Sequence, residues 1–391
     1  GCVVEVGYSG TSSSLFFPNH FTELNAFSIV PYRVTSPRPS CKLGDVVCPG
    51  TTPNELLDHI ISYLATEPPS LTQFHRPPTR YGIRSQTRSL KHLAQVSSQF
   101  LNLVRPRLFT YACLELEDEL DFISFIIRSG LGRYVTSLVA ITVNASADPA
   151  DQGWWRRVLR CLDPACVTVL APPTFIGNML NTPIMDGHSW AFDIKLQMLQ
   201  LERHNPLPDL SQSPDLENCN NLLDTHPWTS LSFNESSSLR AYNHYDGGVQ
   251  FTPQASPSSE LSTTLHGLTH FSYTAVFPFY NHVKLVLDAL ANMPELRVLK
   301  MQLAPDANNH ITEVEQRGSM DPNDPWMELA TSYSLIGFEV NAKPSLVEFR
   351  SGDFHLEAIR SELSQILEDS LGETGWTHDG PSVWKRIASQ N

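Results

Sequence analysis

The sequence predicts an α/β fold in which a small helical module precedes an irregular α/β region built from repeated strand and helix units. Three observations lead there. Two amphipathic helical stretches lie between Pro53 and Phe109. From Tyr111 onward, short β-branched and apolar runs alternate with helical spacings. One apolar pattern, Leu268-x-x-Phe271-x-Tyr273, returns 28 residues later as Leu296-x-x-Leu299-x-Met301.

Taken in order, residues 1–50 are rich in Ser, Thr, Gly and Pro and form an N-terminal extension without a readable period. Residues 51–110 form the helical module. Thr51 or Thr52 caps a first helix with Pro53 and Glu55 in its first turn. Leu56, Leu57, Ile60, Ile61 and Leu64 give that helix its apolar stripe. A second helix carries Leu90, Leu93, Val96, Phe100 and Val104 and ends at Arg105, before Pro106. Between the helices, residues 65–89 hold Pro68, Pro69, Pro77 and Pro78 and read as an exposed loop.

In residues 111–391 the expected strands are Tyr111 to Leu116, Leu138 to Val143, Val167 to Leu170, Ser230 to Phe233, Leu239 to Tyr242, Leu268 to Val276 and Leu296 to Leu303. The expected helices are Glu117 to Ser129, closed by Gly130, then Trp154 to Leu162, Trp190 to Leu201, a stripe of Val283, Val286, Leu287 and Leu290, and Leu356 to Leu371. Residues 205–221, with Pro206, Pro208 and Pro214, read as a linker.

Two resemblances rest on these residues. Pro53, Glu55-Leu56-Leu57, Ile60 and Leu64, then Leu93-Ala94-Gln95-Val96-Ser97, Phe100 and Pro106-Arg107-Leu108-Phe109, resemble the F-box, which docks on the Skp-type adaptor of cullin-based SCF ubiquitin ligases. The 28-residue pattern resembles the strand core of leucine-rich repeats, with fainter echoes at Leu138-x-x-Ile141 and Leu346-x-x-Phe349. Ala304 stands where such repeats carry Asn or Cys, so the units are degenerate. The closing segment Gly375 to Trp384 resembles the end of fungal F-box proteins of this kind. A single irregular α/β domain is the alternative architecture.

Composition limits the function classes. A net charge of -14 over 391 residues argues against a general nucleic-acid binder, which neutralises phosphates with Lys and Arg. No apolar run is long enough for a membrane span. Seven cysteines show no dense disulfide framework, which suits a cytoplasmic or nuclear compartment. Between Pro68 and Leu114 there are seven Lys and Arg and no Asp or Glu, giving a local basic face. Neither His266 with His270 nor the pairs Cys41/Cys48 and Cys161/Cys166 has the setting of a zinc site, and no phosphate cradle is present. His244 and Asp246 beside Gly247 and Gly248 are a polar turn without a matching nucleophile.

The resemblance implies a non-catalytic adaptor subunit without cofactor or metal. Pro53, Leu56, Leu57, Ile60, Leu64, Leu93, Val96, Phe100 and Pro106 would divide between packing the helices and facing the Skp-type adaptor, and through it a cullin. Residues 111–391 would hold an unknown target protein. The alternatives are a repeat-like interaction scaffold outside any ligase, and a hydrolase-like enzyme centred on His244 and Asp246.

Overall fold

The computed structural model describes residues 54–64, 69–80, 82, 87–144, 153–180, 194–203, 216, 218–242, 265–306, 323–372, 374–380 and 382–387. The chain divides between Thr51 and Thr52, and every described residue belongs to the second unit.

The helical module contains α1 (Asn54–Ser62), α2 (Arg88–Ala94) and α3 (Ser98–Leu108). Where the sequence suggests one helix from Leu90 to Arg105, there are two. Ser97 adopts an extended backbone and its Oγ accepts the Phe100 N–H at 3.2 Å, so a new helix is capped there instead of the old one continuing. Nor does α3 stop before Pro106. Burial of Val104 and Leu108 carries it on to Leu108. Ile61, Leu90, Ala94, Val104 and Leu108 form a small core, with Leu93, Phe100 and Phe109 leaning on it. Arg107 grips Asp58 through two nitrogens at 2.8 and 3.0 Å, and Gln99 bonds Asn54 at 2.9 Å, which fixes α1 along α3.

The remaining described chain forms a sheet of β1 (Tyr111–Glu115), β2 (Ser137–Ile141), β3 (Cys166–Ala171), β4 (Gln197–Glu202), β5 (Ser230–Ser237), β6 (His270–Val276), β7 (Val298–Gln302), β8 (Glu348–Ser351), β9 (Trp376–His378) and β10 (Val383–Arg386). Its order follows the chain, β1 to β8, and closes with β10 then β9. Neighbours are parallel from β1 to β3 and from β5 to β8, while β4 and β10 run against their neighbours. The helices between are α4 (Glu119–Ser129), α5 (Trp154–Leu159), α6 (Pro173–Met179), α7 (Tyr280–Ala289), α8 (Asp324–Ala342) and α9 (Glu357–Leu371). Gly130 ends α4 with φ of 61°, where a side chain would be strained.

Three local expectations fail. Of the helix expected from Trp190 to Leu201, residues 190–193 lie outside the described residues, and Met198 and Leu201 belong to strand β4, where Leu199 and Leu201 face one side of the sheet while Met198 and Gln200 face the other. Leu239–Tyr242 is a single helical turn in place of a strand, with the Tyr242 hydroxyl bonded to the Phe277 carbonyl at 3.2 Å. The longest helix, α8, carries no clean apolar stripe, which hid it.

The strand register repeats. At each parallel step, two successive amides bond one carbonyl of the preceding unit: Thr136 and Ser137 to Thr110, Ala165 and Cys166 to Thr136, His270 and Thr269 to Thr229, Arg297 and Val298 to Thr269, and Val347 and Glu348 to Arg297. The apolar pattern is in register too, Phe271 beside Leu299 beside Phe349, and Tyr273 beside Met301 beside Ser351. This side of the sheet is apolar and lies under helices. Tyr333 of α8 bonds Ser351 at 2.7 Å and Asp353 at 2.5 Å. Asp353, fully buried, also accepts the Leu303 and Ala304 amides at 2.8 and 2.9 Å and ties β7 to the turn after β8. Beyond it α8 meets α9, where a Cβ added at Gly337 would stand 2.6 Å from the Ser370 Cβ.

The opposite side carries three rows of alternate residues, one of them Glu202, Ser230, His270, Val298, Glu348. The next reads Val139, Thr168, Gln200, Ser232, Ser272, Lys300, Arg350, and the third Ile141, Leu170, Met198, Asn234, Thr274, Gln302. Part of the expected exposed loop, around Phe74 and Arg76, lies against this side. Phe74, 8% exposed, packs on Val139, Ile141, Leu170 and Met198. The Asn234 amide donates to the Phe74 and Arg76 carbonyls at 2.6 and 2.8 Å. Ser70 and Pro78 are also buried. Proline content marks a loop but does not say what the loop lies on.

Candidate functional site

Two surfaces stand out, one on the helical module and one on the open side of the sheet. On α1 the apolar residues separate into two sets. Ile61 turns inward and is almost fully buried, and Leu57, four residues before it, is half-buried. Leu56 and Ile60, also four apart, turn outward and are 50% and 52% exposed, with Leu64 at 40%. Val96, between α2 and α3, is 66% exposed. Leu93 and Phe100 are half-buried against the core, as is Pro106 within α3. Pro53 lies outside the described residues. Ile61 is absent from the sequence-derived site set although its spacing from Leu57 signals it.

Three of the arginines expected to give this region a basic face are turned to the chain's own carboxylates, and Arg84 lies outside the described residues. Arg76 reaches Asp306 at 3.5 Å, Arg80 grips Glu115 at 2.6 Å, and Arg107 grips Asp58. Arg105 donates to the Ser129 carbonyl at 3.4 Å. These partners lie far away in sequence, so a count of local charge misses them.

On the sheet, residues 69–80 leave part of the open side uncovered. A groove of about 590 Å³ lies beside Phe74 and His75, floored by residues of β4 to β8 including Glu202, Ser232, His270, Ser272, Lys300 and Arg350. His75 faces Asp306 at 3.6 Å, and burial lowers its pKa more than that carboxylate raises it. Burial and the Arg350 charge lower the pKa of Lys300. Arg350 bonds Glu348 two residues before it. A further depression near β1 and β2 is lined by Glu117, Asp118, Glu119 and Asp121, but Glu119 is held by Arg157, and Glu117 by Thr142 and Asn144.

The interior holds titratable groups with structural partners. Glu235, 3% exposed, accepts the Tyr273 hydroxyl and faces His282 at 2.8 Å. Burial pulls the His282 pKa down, and Glu235 more than reverses this. His226 bridges Thr225 and Asp163 at 3.0 and 3.1 Å, and burial with the Arg203 charge lowers its pKa. None of these groups lines either depression. Among the described residues no group of His, Cys, Asp and Glu is arranged to hold a metal ion, and no helix is long and apolar enough to cross a membrane. His244 and Asp246 lie outside the described residues. Comparison with known proteins finds no matching family model, no matching curated protein and no matching solved structure.

Proposed function

We propose that this chain is the substrate-recognition subunit of an SCF-type ubiquitin ligase. The helical module docks on a Skp-type adaptor, and the α/β region, read as a degenerate leucine-rich-repeat-like solenoid, holds the target protein. One observation carries the reading: α1 gives Ile61 to the module's core, while Leu56 and Ile60 on the helix and Leu64 just beyond it stay exposed. An apolar row left out of the core by a helix this short suits a partner's groove. The repeated paired-amide hydrogen bonds to one carbonyl and the in-register apolar rows support the repeat reading. The subunit itself does no chemistry. It keeps the target at high effective concentration beside the ubiquitin-carrying subunits.

The test is co-purification with a Skp-type adaptor, parent beside Leu56→Asp/Ile60→Asp, with circular dichroism on both. Both residues are exposed, so the variant folds, while a carboxylate forced into an apolar groove costs several kcal/mol. Capture of the parent and loss of the folded variant supports the reading. Failure of the parent to bind overturns it in favour of an interaction scaffold outside any ligase.

A further inference from the structure

The groove on the open side of the sheet has a definite charge layout. Lys300 sits on β7 with Ser272 on one side and Arg350 on the other, in direct register. Glu348 offsets Arg350, but among the described residues Lys300 has no carboxylate partner. Glu202 sits on β4, where its bonded side-chain neighbour is the neutral Gln200 amide and no cation pairs with it among the described residues. The groove thus presents one unmet cation and one unmet anion.

Three strand spacings separate β4 from β7, about 14 Å at roughly 4.8 Å each, and Glu202 lies two residues along from the Gln200–Lys300 row, so the two charges stand about 16 Å apart on a diagonal that the long Lys and Glu side chains shorten. An extended chain advances about 3.3 Å per residue and points alternate side chains the same way, so residues four apart present same-side groups about 13 Å apart. Ser232 and Ser272, between the two charges, supply hydroxyls to a backbone passing over them. The same side of the sheet already holds a peptide segment of this chain, the Phe74 turn clamped by Asn234. A polyanion such as nucleic acid is disfavoured, because Glu202 and Glu348 line the same groove.

We infer that the groove beside Phe74 binds an extended segment of a partner protein carrying an acidic and a basic side chain four residues apart, the acid on Lys300 and the base on Glu202. This deepens the ligase reading by naming the class of target segment. The test is selection of random 12-residue peptides displayed on phage against the full chain, followed by fluorescence anisotropy of the enriched peptides. The expected consensus has an acid and a base four apart. Lys300→Glu and Glu202→Lys each weaken binding by about tenfold or more. The double reversal Glu202→Lys/Lys300→Glu restores it, since the same peptide can lie in the opposite direction. No enrichment, a consensus without that spacing, or binding unchanged by Lys300→Glu overturns the inference. Adaptor capture plays no part in this selection, so its outcome is separate from that of the docking test.

Discussion

Asp353 offers a prediction whose sign and size follow from its surroundings. Complete burial pushes its carboxyl up to about 6 from an ordinary 3.8, although Tyr333, the Leu303 and Ala304 amides and His355 all pull the other way. The folded state therefore holds this proton more tightly than the unfolded chain does. The stability it contributes is fully present below pH 3.8 and is lost as pH rises through about 6. Two pKa units correspond to about 3 kcal/mol. Asp353→Asn removes the titration and turns an amide group toward donors, leaving one of them unmatched. The assay is urea unfolding of parent and variant at steps from pH 4 to pH 7. Taking the difference removes the other titrating groups, which both chains share. The stability of the parent relative to the variant should increase by about 2.5 kcal/mol from pH 7 down to pH 4. A constant difference, or one that moves the other way, would show that the hydrogen bonds outweigh burial and refute the reasoning.

Three other outcomes are expected. Phe74→Ala strips the anchor of residues 69–80 from its apolar seat, at about 3 kcal/mol, and speeds hydrogen exchange in that segment far more than in β2 to β4. Ser97→Ala removes the cap of α3 and costs about 1 kcal/mol, measured by chemical denaturation. Gly337→Ala forces α8 away from Ser370 and lowers stability by about 1 to 3 kcal/mol, whereas the same change at an exposed helix position would raise it.

The sequence revealed most where burial leaves a period. Strands β1, β2, β3, β6 and β7 and helices α1, α4, α7 and α9 are marked by alternation or by one apolar stripe, and they form near their expected bounds. Helix α8 escaped because Leu329, Tyr333, Ile336 and Val340 are buried while Met327 and Phe338 are exposed, so its apolar residues wrap around it. On the helical module, spacing distinguishes helix from loop but not inward from outward. Leu56 and Leu57 are adjacent and chemically equal, and only the packing of Ile61 against α2 and α3 separates them. The sheet groove was not legible at all, since Glu202 and Lys300 line one groove through strand order that no local pattern contains. The same holds for Arg80 with Glu115 and Arg76 with Asp306.

The seat of Phe74 also bears on the order in which this chain matures. The link between α1 and α2 is clamped by Asn234, 160 residues later, on a surface assembled from β2, β3 and β4. On a ribosome, the helices emerge long before that surface exists, so their connection stays unseated until β5 has been made. Such long-range closure slows folding. A fragment ending near residue 110 lacks the seat, and a nascent chain acquires its finished helical module only when the sheet beside it is in place.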